Sequence, residues 1–453
     1  MTSPIAFGSS RLGRTPYVLQ GLLLVALVAL IVFASSVSAG IGQTETTLQR
    51  YSMKEPQVAD PGSVYVEVTL PPPALLQLSS GLVGMAPSMH LIRLLATRPL
   101  TNVDVIEHPA RRRYGRVDLS FVFLLVLPIA ILPICFFLYR QCLASGAIEK
   151  LLSGKVSMFD FCIERILMPL GVFSGVIILS TLASLYASGM QIGSNERLGR
   201  LSFWVAIVSV YLLGWLLLFA WLLLRGSSFA GAAIRYTGIF LISVIGVPFL
   251  LQSIGSAIAR PQSRLEISID RRNLSKTIQL PEQAVVDQFL QSQGAPAIDW
   301  SQPLGNTRLI ALKSLMVEEQ LRPKVEAFES SVRRMEQLSQ IGSWLSPYTV
   351  TQFAVDDLAG SGLSRYTEFR EAAIVFFQQW KTYLLPYLST KQTLDFDALR
   401  GAPKFQMKPE NSGMLFGVSA IRFLYLGVIA GTLVVLLRRE LQRVLPKRAN
   451  AAR

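Results

Sequence analysis

Six apolar runs, at residues 17–39, 119–139, 166–188, 201–224, 229–258 and 414–437, are each long enough to cross a bilayer. Inside hydrocarbon such a run can satisfy its own backbone only as a helix, since it carries no alternation that would suit a barrel. Composition agrees: charged residues make up 16% of the chain and mean hydropathy is +0.43, whereas soluble domains carry about a quarter charged residues. The expected fold class is an α-helical integral membrane protein with six transmembrane helices. Between the runs lie polar segments large enough to fold.

Charge sets the expected orientation. The net charge is +14, but the basic residues flank the apolar runs and fill the tail. Anionic lipid and topology account for them better than nucleic acid. Six crossings put both termini on one side. Arg438, Arg439, Arg443, Lys447, Arg448 and Arg453 assign that side to the cytoplasm. The resulting map has a cytoplasmic N-terminus (1–16), transmembrane helix 1 (17–39), an extracytoplasmic segment (40–118) and transmembrane helix 2 (119–139). A cytoplasmic loop (140–165) and helices 3–5 (166–258) follow. An extracytoplasmic domain (259–412), helix 6 (413–437) and a basic cytoplasmic tail (438–453) complete it. Arg111, Arg112, Arg113 and Arg116 fall on the outside, a position that a long translocated segment tolerates. Val37-Ser38-Ala39 resembles a signal-peptidase site, but the run before it exceeds a usual signal core and reads as a retained span.

The two outer segments show mixed patterning. SVYVEVTL (63–70) alternates as a strand and is stopped by Pro71-Pro72-Pro73; SRLEISID (263–270) alternates in the same way. Leu321, Val325, Phe328, Val332 and Met335 recur at four-three spacing, the seam of a helix packed on a partner. A second helix, rich in Phe and Trp, is expected over 366–388. Together these segments predict a mixed, mainly helical extracytoplasmic domain.

Few motifs carry chemistry. GSSRLGRT (8–15) approaches a phosphate-binding loop but has Arg14 in place of Lys, no preceding strand and a membrane run after it, so it reads as a tail. His90 and His108 stand apart from any ligand cluster, and Cys135, Cys142 and Cys162 avoid the outer segments, which argues against a metal site or a disulfide framework. No catalytic constellation is visible. Gly171 with Gly175, and Gly427 with Gly431, are small-xxx-small pairs that allow close helix packing. Arg422 lies about nine residues inside the sixth run, where charge is expensive; snorkelling to the surface competes with a role in a pathway.

The loop after the second run is the least ordinary feature. Residues 140–165 hold Arg140, Glu149, Lys150, Lys155, Asp160, Glu164 and Arg165 in an amphipathic pattern, far longer than a turn between helices requires. An interfacial helix resting on lipid would have the same pattern.

Three stretches resemble one family. GRVDLSFVFLLVLPIAIL (115–132), SGAIEKLLSGKVS (145–157) and LSPYTVTQFAVDDLAGSGLSRYTEFREAA (345–373) are similar to the motifs of ABC-2-type permeases with a large extracytoplasmic insertion between the fifth and sixth spans. PPPALLQLSSGLVGMAP (71–87) is a weaker match. The resemblance implies the permease half of an ATP-driven transporter, usually an exporter. Two permease subunits, identical or different, would associate with a dimer of cytoplasmic ATPases. This chain would bind no cofactor, and ATP and Mg would sit on the partner. It also implies that 140–165 is the coupling loop, with Glu149, Lys150, Leu151, Leu152 and Lys155 meeting the ATPase. The loop departs from the family pattern around Ala147-Ile148-Glu149, as the divergent half of a heterodimer would. A second function class, mechanotransmission, would move the outer domain without passing substrate through the membrane. An enzyme or receptor would need catalytic clusters or a signalling domain that the sequence lacks.

Overall fold

The computed structural model describes residues 65–71, 73, 75–76, 78–82, 89–93, 118–133, 135, 174–175, 178–179, 181–182, 195–225, 228–259, 264–277, 283–301, 303–390, 394, 396–407 and 411–451. These residues are mostly helical, with one two-stranded ribbon. The first, most of the third and part of the second expected spans, and the 140–165 loop, lie outside them.

Three helices are long and apolar enough to cross a membrane: Asn195–Arg225, Phe229–Ile258 and Ser412–Glu440. A shorter apolar helix, α1, covers Leu119–Pro133. We label Asn195–Arg225 α2. Helix α3 comprises Phe229–Leu241 and Val247–Ala259, joined through a π turn at Ile242–Gly246. α1 has a π turn too, at Val122–Val126. Each π turn ends two residues before a proline, Pro128 in α1 and Pro248 in α3. Proline lacks an N–H and its ring crowds the preceding turn, so the ladder widens and carbonyls are left unpaired. Tyr211 of α2 donates to the Leu124 carbonyl at 2.8 Å and Tyr236 of α3 to the Pro128 carbonyl at 2.8 Å. The Leu124 carbonyl, four residues before Pro128, is one that the proline leaves free, and the two bonds tie α1 to α2 and α3.

Ring contacts fix the directions. Phe123 meets Trp204, Tyr236 meets both Trp215 and Phe219, and Phe229 meets Phe219. α1 thus runs alongside α2 in the same sense and α3 runs against them. The final helix packs on α2 from its start, with Ser412 donating to Glu196 at 2.8 Å and Phe416 against Phe203. Hence α1, α2 and the final helix begin, and α3 ends, on one face of the bundle.

On that face sits a second core. Strand β1 (Tyr65–Thr69) pairs antiparallel with β2 (Met89–Arg93), Val68 opposite His90. Val68, Leu70 and Ile92 enter a core shared with α5 (Gln283–Ser292), α6 (Asn306–Gly342) and α8 (Leu363–Ser389). Phe369, Phe377, Leu384 and Leu388 fill its centre. β1 matches the expected strand and α8 the expected helix.

Within the expected strand at 263–270, residues 264–270 are helical. They belong to α4, Arg264–Thr277. Ile267 and Leu274, two helical turns apart, pack on Val317, Leu321, Val325 and Phe328 of α6, while Leu265 and Ile269 face outward. This contact covers the first half of the expected seam. α3 covers the second half, with Met335 against Gly255 and Leu251 against Gly342. α6, 37 residues and about 55 Å at 1.5 Å per residue, lies along α3 and α4 and carries the outer core away from the bundle.

Two short helices and the last long one complete the chain: α7 (Pro347–Ala359), α9 (Phe396–Gly401) and α10 (Ser412–Ala451). α10 continues as one helix from its apolar part into the basic tail.

Candidate functional site

α7 is the element that joins the two cores. Its sequence specifies both its ends. Ser346 caps the N-terminus by accepting from the Tyr348 N–H, Pro347 occupies the first turn, and Gly360 closes the C-terminus with φ +77°. Between these caps, Val350, Ala354, Val355, Leu358 and Ala359 are buried among Leu119, Trp204, Tyr211, Trp215, Tyr236 and Phe240 of the bundle. α7 therefore packs inside the apolar helices, although it belongs to the segment expected to lie wholly outside them.

Polar contacts hold it there. At the N-terminal end, the Ser346 hydroxyl donates to the Ser243 carbonyl at 2.8 Å, and the two serine hydroxyls lie 2.7 Å apart. Ser243 sits in the π turn of α3. The Val247 N–H reaches back to Ile242, which frees the Ser243 carbonyl for Ser346. At the C-terminal end, Arg422 of α10 pairs with Asp357 at 2.6 Å. The Arg422 guanidinium also lies 5.8 Å above the Phe353 ring. Arg422 is thus neutralised inside the bundle instead of snorkelling.

Residues 75–82 wrap this C-terminal end. Leu75 N–H donates to the Ala359 carbonyl and Leu82 N–H to the Ser361 carbonyl, each at 3.0 Å; the Ser361 hydroxyl donates to the Ser79 carbonyl at 2.8 Å. Gly81, with φ +45°, lies so close that a Cβ would stand 2.4 Å from the Ser361 carbonyl oxygen. A Cβ at Gly362 would fall 2.0 Å from a carboxylate oxygen of Asp357. Glycine is needed at both positions for close approach.

Three carboxylates meet in the resulting node. Asp118 caps α1, accepting from the Phe121 N–H at 2.7 Å and from both the Ser80 N–H and hydroxyl at 2.8 Å. Asp356 accepts from the Ser79 hydroxyl and from Gln352 Nε2. Asp357 accepts from Arg422 and, at 3.1 Å, from Ser364. Burial pushes the Asp356 carboxyl up to about 7 against the pull of the Ser79 and Gln352 hydrogen bonds, with Asp118 and Asp357 adding to the rise. Burial likewise raises Asp118, despite the hydrogen bonds from Ser80 and Phe121. Among the described residues no three His, Cys, Asp or Glu side chains gather in a way that could hold a metal ion. The node is held by an ion pair and by hydrogen bonds to its carboxylates.

Of the residues singled out from sequence, Glu149, Lys150, Leu151, Leu152, Lys155 and Gly171 lie outside the described residues. Among the described residues nothing stands within 4 Å of a Cβ built on Gly175, Gly427 or Gly431. Arg422 alone belongs to the node. Sequence reading gave no role to Ser79, Ser80, Asp118, Asp356 and Asp357, although each lies in one of the stretches quoted above. A separate polar cleft of about 690 Å³ opens between α6 and α8, lined by Glu318, Glu329, Arg333 and Lys381 among others.

Residues 264–408 match the family model described as a domain of unknown function, DUF3526. The match begins with α4 and takes in α7, so this region includes Ser346, Asp356, Asp357 and Gly362. No curated protein and no solved structure matches the chain.

Proposed function

We propose that this chain is the transmembrane permease subunit of an ABC-2-type ATP-driven transporter acting in export. It sits in the cytoplasmic membrane with a second permease subunit and a cytoplasmic ATPase dimer, which supplies ATP and Mg. The chain itself performs no covalent chemistry. One observation carries the reading: two of the stretches that resemble the permease family, 115–132 and 345–373, converge with the weaker match at 71–87 on a single buried node. Convergence of distant motifs is what a shared architecture requires. The common face on which α1, α2 and α10 begin and α3 ends also suits the six-span map, with the DUF3526 region outside. Ile234, Ile242 and Phe249 of α3, and Leu424 and Val428 beside Gly427 on α10, are exposed. They suit lipid or a second subunit.

Mechanotransmission is the second reading, favoured by the insertion of α7 among the apolar helices. A domain tied in this way would follow any tilt of α3 and α10, with or without substrate passage.

Purification of the tagged chain from its native membrane tests the proposal. An ATP-hydrolysing partner should co-purify, and Leu151→Ala with Leu152→Ala should release it or uncouple its stimulated hydrolysis, because losing buried interface anchors costs about 2 kcal/mol or more. Glu149→Ala, a rim charge, should do less. Absence of any such partner would overturn the permease reading, and full retention with normal hydrolysis in the double-leucine variant would leave 140–165 as a lipid-resting helix.

A further inference from the structure

We propose that Asp356 is a proton-binding site, and that the proton held there fastens residues 75–82 onto the end of α7. The inference does not depend on a partner ATPase.

A count of charges carries it. The node contains three carboxylates and one guanidinium. Arg422 contacts Asp357 at 2.6 Å and neutralises it. Asp118 receives three hydrogen bonds, from Phe121 and twice from Ser80, and lies at the N-terminus of α1, where aligned backbone dipoles favour an anion. Asp356 has neither advantage. Its two donors, Ser79 and Gln352, both point at Oδ1, and it occupies the last turn of α7, the end of the helix that disfavours negative charge. The other groups facing it offer no relief. From α7 come Asp357 and the neutral Tyr348, from the start of α1 comes Asp118, and the described residues of the 75–82 segment contribute hydroxyls and backbone groups. A third anion there would be buried without a cation, and such a group takes up a proton instead.

Protonation forms an O–H bond on the carboxylate with a proton drawn from water. Loss of that proton places a bare anion beside Asp118 and Asp357. Ser79 and Ser80 bridge Asp356 and Asp118, so moving the 75–82 segment outward separates the charges and admits water. The folded carboxyl stands near 7 against an ordinary 3.8. Between those values the folded chain keeps a proton that the unfolded chain has released. Stability therefore falls as pH rises through this window and levels off above it.

Infrared titration of the full chain in lipid nanodiscs tests this directly. The carbonyl band of a buried protonated carboxyl should disappear with a midpoint near pH 7, and Asp356→Asn should abolish that transition. Ser79→Ala gives an independent arm should Asp356→Asn fail to fold. It removes a donor that favours the anion, so the midpoint should move upward. Amide exchange at Leu75 and Leu82, corrected for intrinsic rates, should accelerate at least tenfold across the same midpoint. An ordinary acidic midpoint, a transition surviving Asp356→Asn, or a midpoint that Ser79→Ala lowers or leaves unchanged would overturn the proton site. Exchange at Leu75 and Leu82 that ignores the transition would overturn the fastening.

Discussion

Arg422→Met offers the sharpest energetic prediction. The Arg422 and Asp357 side chains are only 7% and 11% exposed, and their charged atoms lie 2.6 Å apart. Removing the arginine leaves Asp357 facing Ser364, a neutral hydroxyl donor at 3.1 Å. Breaking a buried pair by deleting one member typically costs about 3–5 kcal/mol, because the survivor is left charged and desolvated. Adding Asp357→Asn to Arg422→Met removes that stranded charge at almost no change in volume. The double variant should therefore recover at least about 2 kcal/mol relative to additivity, within the range seen for contacting residues. Denaturation in mixed micelles, followed by tryptophan fluorescence, is a suitable assay, since Trp344 lies against Tyr425 one turn from Arg422. A loss below about 1 kcal/mol for Arg422→Met is what an exposed ion pair would give. That result, or strict additivity in the cycle, would refute the buried pair.

Two further substitutions probe the packing around it. Gly81→Ala must strain a positive φ and push a methyl into the Ser361 carbonyl, so it should cost at least about 2 kcal/mol and expose residues 75–82 to limited proteolysis; unchanged resistance would contradict the docking of that segment. Leu321→Ala, which empties a buried position between α4 and α6, should cost about 2–5 kcal/mol. Ile269→Ala on the outward face of α4 should stay within about 0.5 kcal/mol, and the reverse ranking would show α4 turned over.

The apolar helices were legible in the sequence because length and hydropathy alone define them. α2, α3 and α10 appear where their runs lie, α10 extending further because Arg438, Arg439 and Glu440 are good helix formers. The seam on α6 was legible as a period, but not its partners, since α3 and α4 share it end to end. The strand expected at 263–270 shows the limit of periodicity. In a stretch this short, Leu265, Ile267 and Ile269 alternate convincingly, yet Ile267 and Leu274 also stand on one helical face, and α6 selects that face. The node was visible only as motif. Ser79 and Asp356 are 277 positions apart and Asp357 and Arg422 are 65 apart. Their pairing follows from α7 entering the bundle, which nothing in the polar composition around it announces. Once α7 is placed there, the cost of Arg422 in an apolar run has its explanation.

The region matched by DUF3526 is joined to the apolar helices through α7, and the contact between Ser346 and Ser243 reports that joint most directly. Their hydroxyls are 2.7 Å apart, close enough for cysteines at the two positions to form a disulfide with little movement. A Ser243→Cys, Ser346→Cys variant carrying a protease site within 260–263 should yield two fragments after cleavage that stay joined without reductant and separate with it. Fragments that separate without reductant, under oxidation that cross-links exposed control pairs, would place α7 outside the bundle and contradict the joint between the two cores.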